Sequence, residues 1–389
     1  MLRVLSLPPG GEFTRDLFEE ICTPLKNNID CLFAWRGAYN YGIGIALNPM
    51  AHEVVANSFT FVERLIKNKV CLLWVTDNIN TITKDLEDLF RRKSDTQFIL
   101  VTSLRDYKIT APNCIVVDGT PDITHHHSEY PLLTPVLDKN FDSDKTFISL
   151  SKNPRTHRYV SLCLLLAYNL ENYGKITFLE IHNPPTHQLD YPKLMNELSK
   201  DGIDPMTFMH PYHKGQKKLE TYKVQNEDRS EFVYAHRVND NPGNFRNRLS
   251  KMYQNSFIEF INETTWDEDG LLLTEKTLNS IYGCNFPIWI SNRHSVRHVK
   301  SIGIDVFDDI INHDYQHEKN KYLRIQKAIE LNKDLLTDPD RVKKLWIENK
   351  DRFERNVEIV QKELYNTLAN HTKQQIINAL KQLNINYEI

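Results

Sequence analysis

The 389-residue chain has no run of about 20 apolar residues, the length a membrane-crossing helix needs. Its opening, Met1-Leu-Arg-Val-Leu-Ser-Leu7, meets Pro8-Pro-Gly-Gly11 too soon to act as a secretory signal, so a cytoplasmic protein without an integral membrane segment is expected. Neither sign of charge prevails. The formal net charge of −3 disfavours a protein whose main task is coating a nucleic-acid backbone. Short basic groups do occur at Lys214-Gly-Gln-Lys-Lys218 and at Arg237, Arg246 and Arg248, and they read either as solvated surface or as phosphate contacts. The six cysteines, Cys22, Cys31, Cys71, Cys114, Cys163 and Cys284, are scattered without CxxC spacing, the pattern of reduced core thiols rather than disulfides or zinc ligands. The chain also lacks GxGxxG after a first strand, GxxxxGK[ST] and GxSxG, which weighs against dinucleotide-binding, P-loop and α/β-hydrolase chemistry. His125-His-His127 does not make a metal site, because three consecutive residues cannot all face one ion from a regular element. No internal repeat or low-complexity tract is present.

What the chain does have is an ordinary globular composition, 40% hydrophobic and 25% charged, and a length beyond that at which one core keeps growing. Two domains are therefore expected, with a boundary near 140–146. In the first third, apolar runs at Leu2–Leu7, Val70–Val75, Phe98–Thr102 and Cys114–Val117 alternate with amphipathic stretches, the rhythm of a parallel α/β sheet. The clearest unit is the strand pattern Val70–Asp77 followed by Thr83–Arg92, which puts Leu86, Leu89 and Phe90 on one helical face. A second strand and helix series starts at Thr146–Ser151, turns through Lys152–Arg158 and continues into Tyr159–Leu170. Lys175–Ile181 reads as the next strand. Between about 186 and 250 the pattern is least legible, with turns expected at Tyr212-His-Lys-Gly215 and Asn239-Asp-Asn-Pro-Gly243. The rhythm resumes with a strand over Ser256–Asn262, a helix over Glu275–Tyr282 and a strand over Phe286–Ile290. From Tyr322 to Ile389 the reading is helical, with a solvated charged stretch at Arg341–Arg355 and an amphipathic helix near Gln374–Leu383.

In sheets of this kind ligands gather beyond the carboxyl ends of the strands. Thr274-Glu-Lys-Thr277 stands at such a junction. There Glu275 can accept ribose hydroxyls while Lys276 and the first amides of the helix meet a diphosphate; the plain alternative is a pair of first-turn helix charges. Arg155 and Arg158 read as part of another strand-to-helix loop, where guanidinium forks suit phosphate, or as a surface turn. Glu263 and Thr264 follow the strand Phe257–Ile261, and Asp267-Glu-Asp269 reads as an acidic loop capping the next element. In the first domain Glu12, Asp77 and Asp118 fall at expected strand ends and are candidate general bases.

Together, Ser151-Lys-Asn-Pro-Arg-Thr-His-Arg158, Asn262-Glu-Thr-Thr-Trp-Asp-Glu-Asp269 and Leu273-Thr-Glu-Lys-Thr-Leu-Asn-Ser-Ile-Tyr-Gly-Cys-Asn-Phe-Pro-Ile288 resemble the donor-domain motifs of exostosin-like and fucosyltransferase-like glycosyltransferases, which include short proteins of bacteria and their phages. Val299-Lys-Ser-Ile-Gly-Ile-Asp-Val-Phe-Asp-Asp309 also looks like the family's segment after that helix. The likeness covers roughly residues 146–335 and leaves the first 140 unmatched. It implies a GT-B architecture of two Rossmann-like domains facing across a cleft: residues 1–145 for the acceptor, 146–335 for the nucleotide-sugar donor, and C-terminal helices over 336–389 that cross back to the first domain. It also implies roles. Glu275 would bind the nucleoside, Lys276 the diphosphate, and Arg155 or Arg158 the phosphate or leaving-group charge, with Glu263, Thr264 and Thr277 lining the same pocket. No metal and no cofactor beyond the nucleotide-diphosphate sugar is expected, since cationic side chains and a helix terminus can stabilise the departing diphosphate. The acceptor would be a glycan or lipid-linked glycan, or, as in some phage enzymes, a hydroxylated base of DNA. A binding protein of another class, holding a nucleotide sugar or a polyanion without turnover, is the competing expectation.

Overall fold

The computed structural model describes residues 20–21, 25, 29–36, 43–45, 54–55, 63, 66–76, 83–102, 107–119, 134–151, 155–178, 191–222, 249–263, 266 and 273–385. Two compact units emerge, one of Met1–Pro131, Asp269–Glu275 and Glu363–Ile389, the other of Leu132–Glu268 and Lys276–Lys362. Both are α/β and Rossmann-like. Among the described residues no helix is long and apolar enough to cross a membrane.

The first unit is built on strands β1 (Asp30–Arg36), β2 (Ile43–Ile45), β3 (Val54–Val55), β4 (Val70–Thr76), β5 (Gln97–Thr102) and β6 (Cys114–Asp118), in the order β3-β2-β1-β4-β5-β6. Strands β1, β4, β5 and β6 run parallel, while β2 and β3 pair antiparallel at one edge. Cys71–Val75 and Phe98–Val101 are buried without a break, so both faces of these strands are covered and period-2 alternation gives way to continuous apolar runs. Helix α1 (Thr83–Arg92) presents Leu86, Leu89 and Phe90 to this core, with the Phe90 ring 4.3 Å from that of Phe98. The buried Asn113 amide closes the end of α1 by donating to Phe90 O at 3.0 Å, Lys93 O at 3.2 Å and Thr96 O at 2.9 Å. Strand β1 lies inside the sheet, yet the apolar-run reading passed over Asp30-Cys-Leu-Phe-Ala-Trp-Arg36: five residues between two charges give a weak local signal. Asp30 earns its place structurally, since Oδ2 accepts from the amides of Lys67 and Asn68, both at 2.6 Å, and sets the start of β1 beside β4.

The second unit carries the parallel strands β7 (Phe147–Ser151), β8 (Gly174–Phe178), β9 (Ile258–Asn262) and β10 (Phe286–Ile290), in the order β10-β9-β7-β8. Every residue of β9 and β10 is buried. Around them lie α2 (Thr156–Ala167), α3 (Tyr191–Lys200), α4 (Met206–Leu219), α5 (Glu275–Tyr282), α6 (Ser295–Ser301), α7 (Lys321–Glu330), α8 (Lys333–Leu336), α9 (Pro339–Glu348) and α10 (Lys350–Glu358). Helix α2 is almost wholly buried and packs closely against α4.

Tyr212–Gly215, expected as a turn, is helical and lies inside α4. Gly215 is there for contact, not for bending: a Cβ at this position would stand 1.8 Å from Cys163 O of α2. Lys218 of the basic group is held by Glu171, Asn169 and Leu166 O, which leaves Lys214 and Lys217 as its exposed charges. Within the stretch expected to be solvated, Val342, Trp346 and Phe353 are buried. Trp346 Nε1 donates to Cys284 O at 2.7 Å, and its ring stacks on Phe353 with centroids 5.7 Å apart. The segment entering β7 is anchored by Lys139, a buried ammonium that donates to Tyr253 O at 2.7 Å, Ser256 O at 2.9 Å, Gly283 O at 2.6 Å and Asn285 Oδ1. Burial pulls its pKa down to about 7.

After α10 a π-helical turn over Ile359–Glu363 leads into α11 (Leu364–Gln382). Ala369, Ile376, Ala379 and Leu380 of α11 belong to the apolar core of the first unit. Cys31, Cys71, Cys114, Cys163 and Cys284 are free thiols; Cys22, the Leu2–Leu7 run, His125–His127, Asn239–Gly243, Asp267–Asp269 and the arginines at 237, 246 and 248 lie outside the described residues.

Candidate functional site

In the order β10-β9-β7-β8 the chain leaves β7 toward β8 on one side, while β9 and β10 lie on the other. Where connections diverge like this, the loops at the carboxyl ends of the two central strands part and leave a crevice. In the second unit that place is the end of β7 and β9, with Ser151 on one and Asn262 and Glu263 on the other.

The two strand ends are cross-braced. Asn262 Nδ2 donates to Ser149 Oγ at 3.1 Å, and Arg158 Nη2 donates to Asn262 O at 3.3 Å. His157 Nε2 lies 2.8 Å from Glu263 O, and because a carbonyl only accepts, the ring carries its proton on Nε2. Nδ1 is then a buried acceptor with no hydrogen-bond partner among the described residues. The Trp266 ring covers His157 with centroids 5.5 Å apart. On the other flank, the Thr277 hydroxyl donates to Glu263 Oε1 at 2.7 Å and accepts from Trp289 Nε1 at 3.1 Å, which ties α5 to β9 and β10.

Of the residues singled out in the sequence, Arg155, Arg158, Glu263, Lys276 and Thr277 come together here, but not in one environment. Arg155 is the half-exposed residue at which α2 begins, with no side-chain cap on the helix. Arg158 was expected in a loop; it is instead a buried residue of the first turn of α2, because the helix starts at Thr156 and its third position faces inward. Glu263 and Thr277 are fully buried, and Lys276 is half-exposed. Glu275 opens α5 by its backbone, while its side chain, like Glu12, Asp77 and Thr264, falls outside the described residues. Asp118 ends β6 in the first unit, where its amide donates to Gln375 Oε1 at 3.1 Å and its carbonyl accepts from Thr372 Oγ1 at 3.4 Å, both on α11.

Burial holds the His157 imidazole well below its ordinary pKa, and the charges of Arg158, Arg155 and Lys276 push it lower still, against the opposing bond to Glu263 O. Three cations from two separate strand-to-helix junctions thus act on one point. No family model matches the chain, and no curated protein does.

Two further residues complete the site and were not foreseen. Arg324 of α7 is buried and donates from Nε to Ser291 O at 3.3 Å, from Nη1 to Glu318 O at 2.9 Å and from Nη2 to Trp266 O at 3.2 Å, holding the residue after β10 and the Trp266 backbone in one frame. His157 lies between Arg155 and Arg158 in the Ser151–Arg158 segment and has no sequence signal of its own. An arginine in an amphipathic helix and a histidine beside two arginines both read as surface until the fold buries them.

Proposed function

We propose that the second unit binds a nucleotide-diphosphate sugar and that the protein is a glycosyltransferase of GT-B type, moving a hexosyl or pentosyl group to a hydroxyl of a glycan or lipid-linked glycan. One observation supports this most: the charges of Arg155, Arg158 and Lys276 all bear on the buried His157, which is bonded to Glu263 O just past the end of β9. The resemblance noted above falls on the same residues, although it was drawn from sequence motifs alone.

In the transfer, the bond between the anomeric carbon and the diphosphate oxygen breaks, the acceptor oxygen bonds to that carbon, and a base takes the acceptor proton. The diphosphate departs with growing negative charge, and cations already fixed in place stabilise that charge more than they stabilise the intact donor. Arg155 and Lys276 are the half-exposed members suited to direct phosphate contact. Arg158 adds its charge from behind while bracing Asn262. The neutral state of His157 keeps a fourth cation, and its mutual repulsion, out of the cluster. Glu275 is assigned to the nucleoside, and Glu12, Asp77 and Asp118 remain the candidate bases.

Titration calorimetry with UDP, GDP and ADP, alongside hydrolysis assays on the matching nucleotide sugars, tests this reading. Arg155→Ala and Lys276→Ala should each weaken diphosphate binding by about 10- to 100-fold, the worth of one charge-assisted hydrogen bond. Unchanged affinity in both variants overturns the site. Binding without turnover points to the non-catalytic class.

A further inference from the structure

A groove of the second unit, about 920 Å³, is lined by none of the residues assigned above. Its size falls within the roughly 300–1,000 Å³ of pockets that hold small organic ligands. One wall is the loop after β10 together with α6, where Arg293, Arg297 and Lys300 follow one another at helical spacing. The other wall is the turn Asp308–His317, which brings the carboxylates of Asp308, Asp309 and Asp314. Val296 and Ile310, both half-buried, add apolar surface to the lining.

The acidic wall is built rather than loose. Phe307 takes a left-handed backbone, φ 56°, and its carbonyl accepts from the amides of Ile310 at 2.9 Å and Ile311 at 2.8 Å. Arg352 grips Asp305 and Asp309 with a fork of four bonds between 2.6 and 2.9 Å and lies over the Phe307 ring. Asn332 holds the Asn312 amide at 2.9 Å and its carbonyl at 3.0 Å. At one end Lys300 and Asp308 pair across the groove. Near the other, Gln316, with its amide turned to donate, reaches Arg293 O at 2.9 Å and Ser295 Oγ at 3.2 Å. Both contacts link the two walls.

Such a groove selects against simple ions. An anion drawn to Arg293 and Arg297 meets the Asp314 carboxylate opposite, beside Asp308 and Asp309, which Lys300 and Arg352 already engage, and a cation drawn to Asp314 meets the guanidinium wall. A ligand that donates and accepts at neighbouring atoms satisfies both walls at once. Vicinal hydroxyls do this, since each hydroxyl is one donor and two acceptors, while guanidinium only donates and carboxylate only accepts. The C–H faces of a sugar ring would lie on the apolar surface of Val296 and Ile310.

We propose that this groove is a carbohydrate site for a neutral, hydroxyl-rich glycan, held between the guanidinium wall of Arg293 and Arg297 and the carboxylate of Asp314. The site goes beyond the donor pocket and does not depend on it. Should the transferase reading hold, it ties the protein to glycans rather than to DNA.

Saturation-transfer NMR on the full chain decides the matter, using neutral oligosaccharides of glucose, mannose, galactose and N-acetylglucosamine, an oligogalacturonate and a short duplex DNA as probes at millimolar concentration. At least one neutral oligosaccharide should bind and survive raised salt, because no net charge is neutralised. Arg297→Ala and Asp314→Ala, both surface residues, should each weaken it by about tenfold, the worth of one good hydrogen bond. Both variants should keep wild-type diphosphate affinity, and Lys276→Ala should keep glycan binding, so failure of this site and failure of the donor site are told apart. Absence of signal from every neutral oligosaccharide overturns the proposal. So does preference for the oligogalacturonate or the DNA, or glycan binding that both groove variants retain.

Discussion

At the scale of the residue, the second unit is marked by polar groups placed where only a specific partner makes burial tolerable. Glu259, in the middle of β9, is buried with Tyr253 Oη donating to Oε1 at 2.9 Å, and burial raises its pKa to about 8 from an ordinary 4.5. Between those values the native state keeps a proton that the unfolded chain has released, so this group's effect is a loss of stability as pH rises from about 4.5 to 8. Glu259→Gln should therefore flatten that part of the stability profile, measured by urea denaturation at a series of pH values; an unchanged slope would show that Glu259 ionises freely in the fold. His157 acts in the opposite sense. Its depressed pKa costs stability as pH falls below the ordinary imidazole value, because the unfolded chain then binds a proton that the buried ring refuses. None of this is readable from residue type, since a glutamate and a histidine acquire these properties only from what surrounds them.

At the scale of the element, legibility followed how local the signal was. Helix α1 was read with its buried face, and α5 and β10 with their limits, because amphipathic spacing and a short apolar run are set by residues within a turn or two. Helix α4 was misread for the complementary reason. Pro211 and Gly215, the two strongest local breakers, both lie inside it. What outweighs their cost is contact with α2, which no window of neighbouring residues contains. Gly215→Ala should destabilise the protein by about 3 kcal/mol, since a methyl forced against the Cys163 carbonyl must drive the helices apart. Gly202→Ala offers a contrast on the same denaturation curve: no atom of the described residues crowds that position, and the cost expected there comes from its left-handed φ of 69°. Equal losses at the two glycines would refute the packing argument.

At the scale of the whole molecule, each unit closes its own apolar core, and the chain contributes to the first from both ends of its length. Leu380 on α11 is fully buried within the core that contains Leu73, Phe90 and Leu100. Leu380→Ala should cost that unit about 2–5 kcal/mol. Hydrogen exchange would locate the loss. Faster exchange is expected in β4, β5 and β6, with protection in β7, β9 and β10 unchanged. Uniform acceleration across both sheets would mean that the units do not unfold separately.

The sequence by itself determined the segments with a strong local pattern, such as β4 and β10 among the strands and α1 and α5 among the helices, and it placed Arg155, Glu263 and Lys276 at strand-to-helix junctions, because propensity and periodicity are sums over near neighbours. Only the tertiary structure decided that β7 and β9 would lie side by side with their connections diverging, so that charges from two distant junctions act on His157. It also decided that Arg158, Glu263 and Thr277 would face inward, that Gly215 would serve a helix, and that α6 would stand opposite the Asp308–His317 turn. Burial and electrostatic fields depend on groups brought near by folding, and those distances are not contained in any stretch of the chain short enough to read alone.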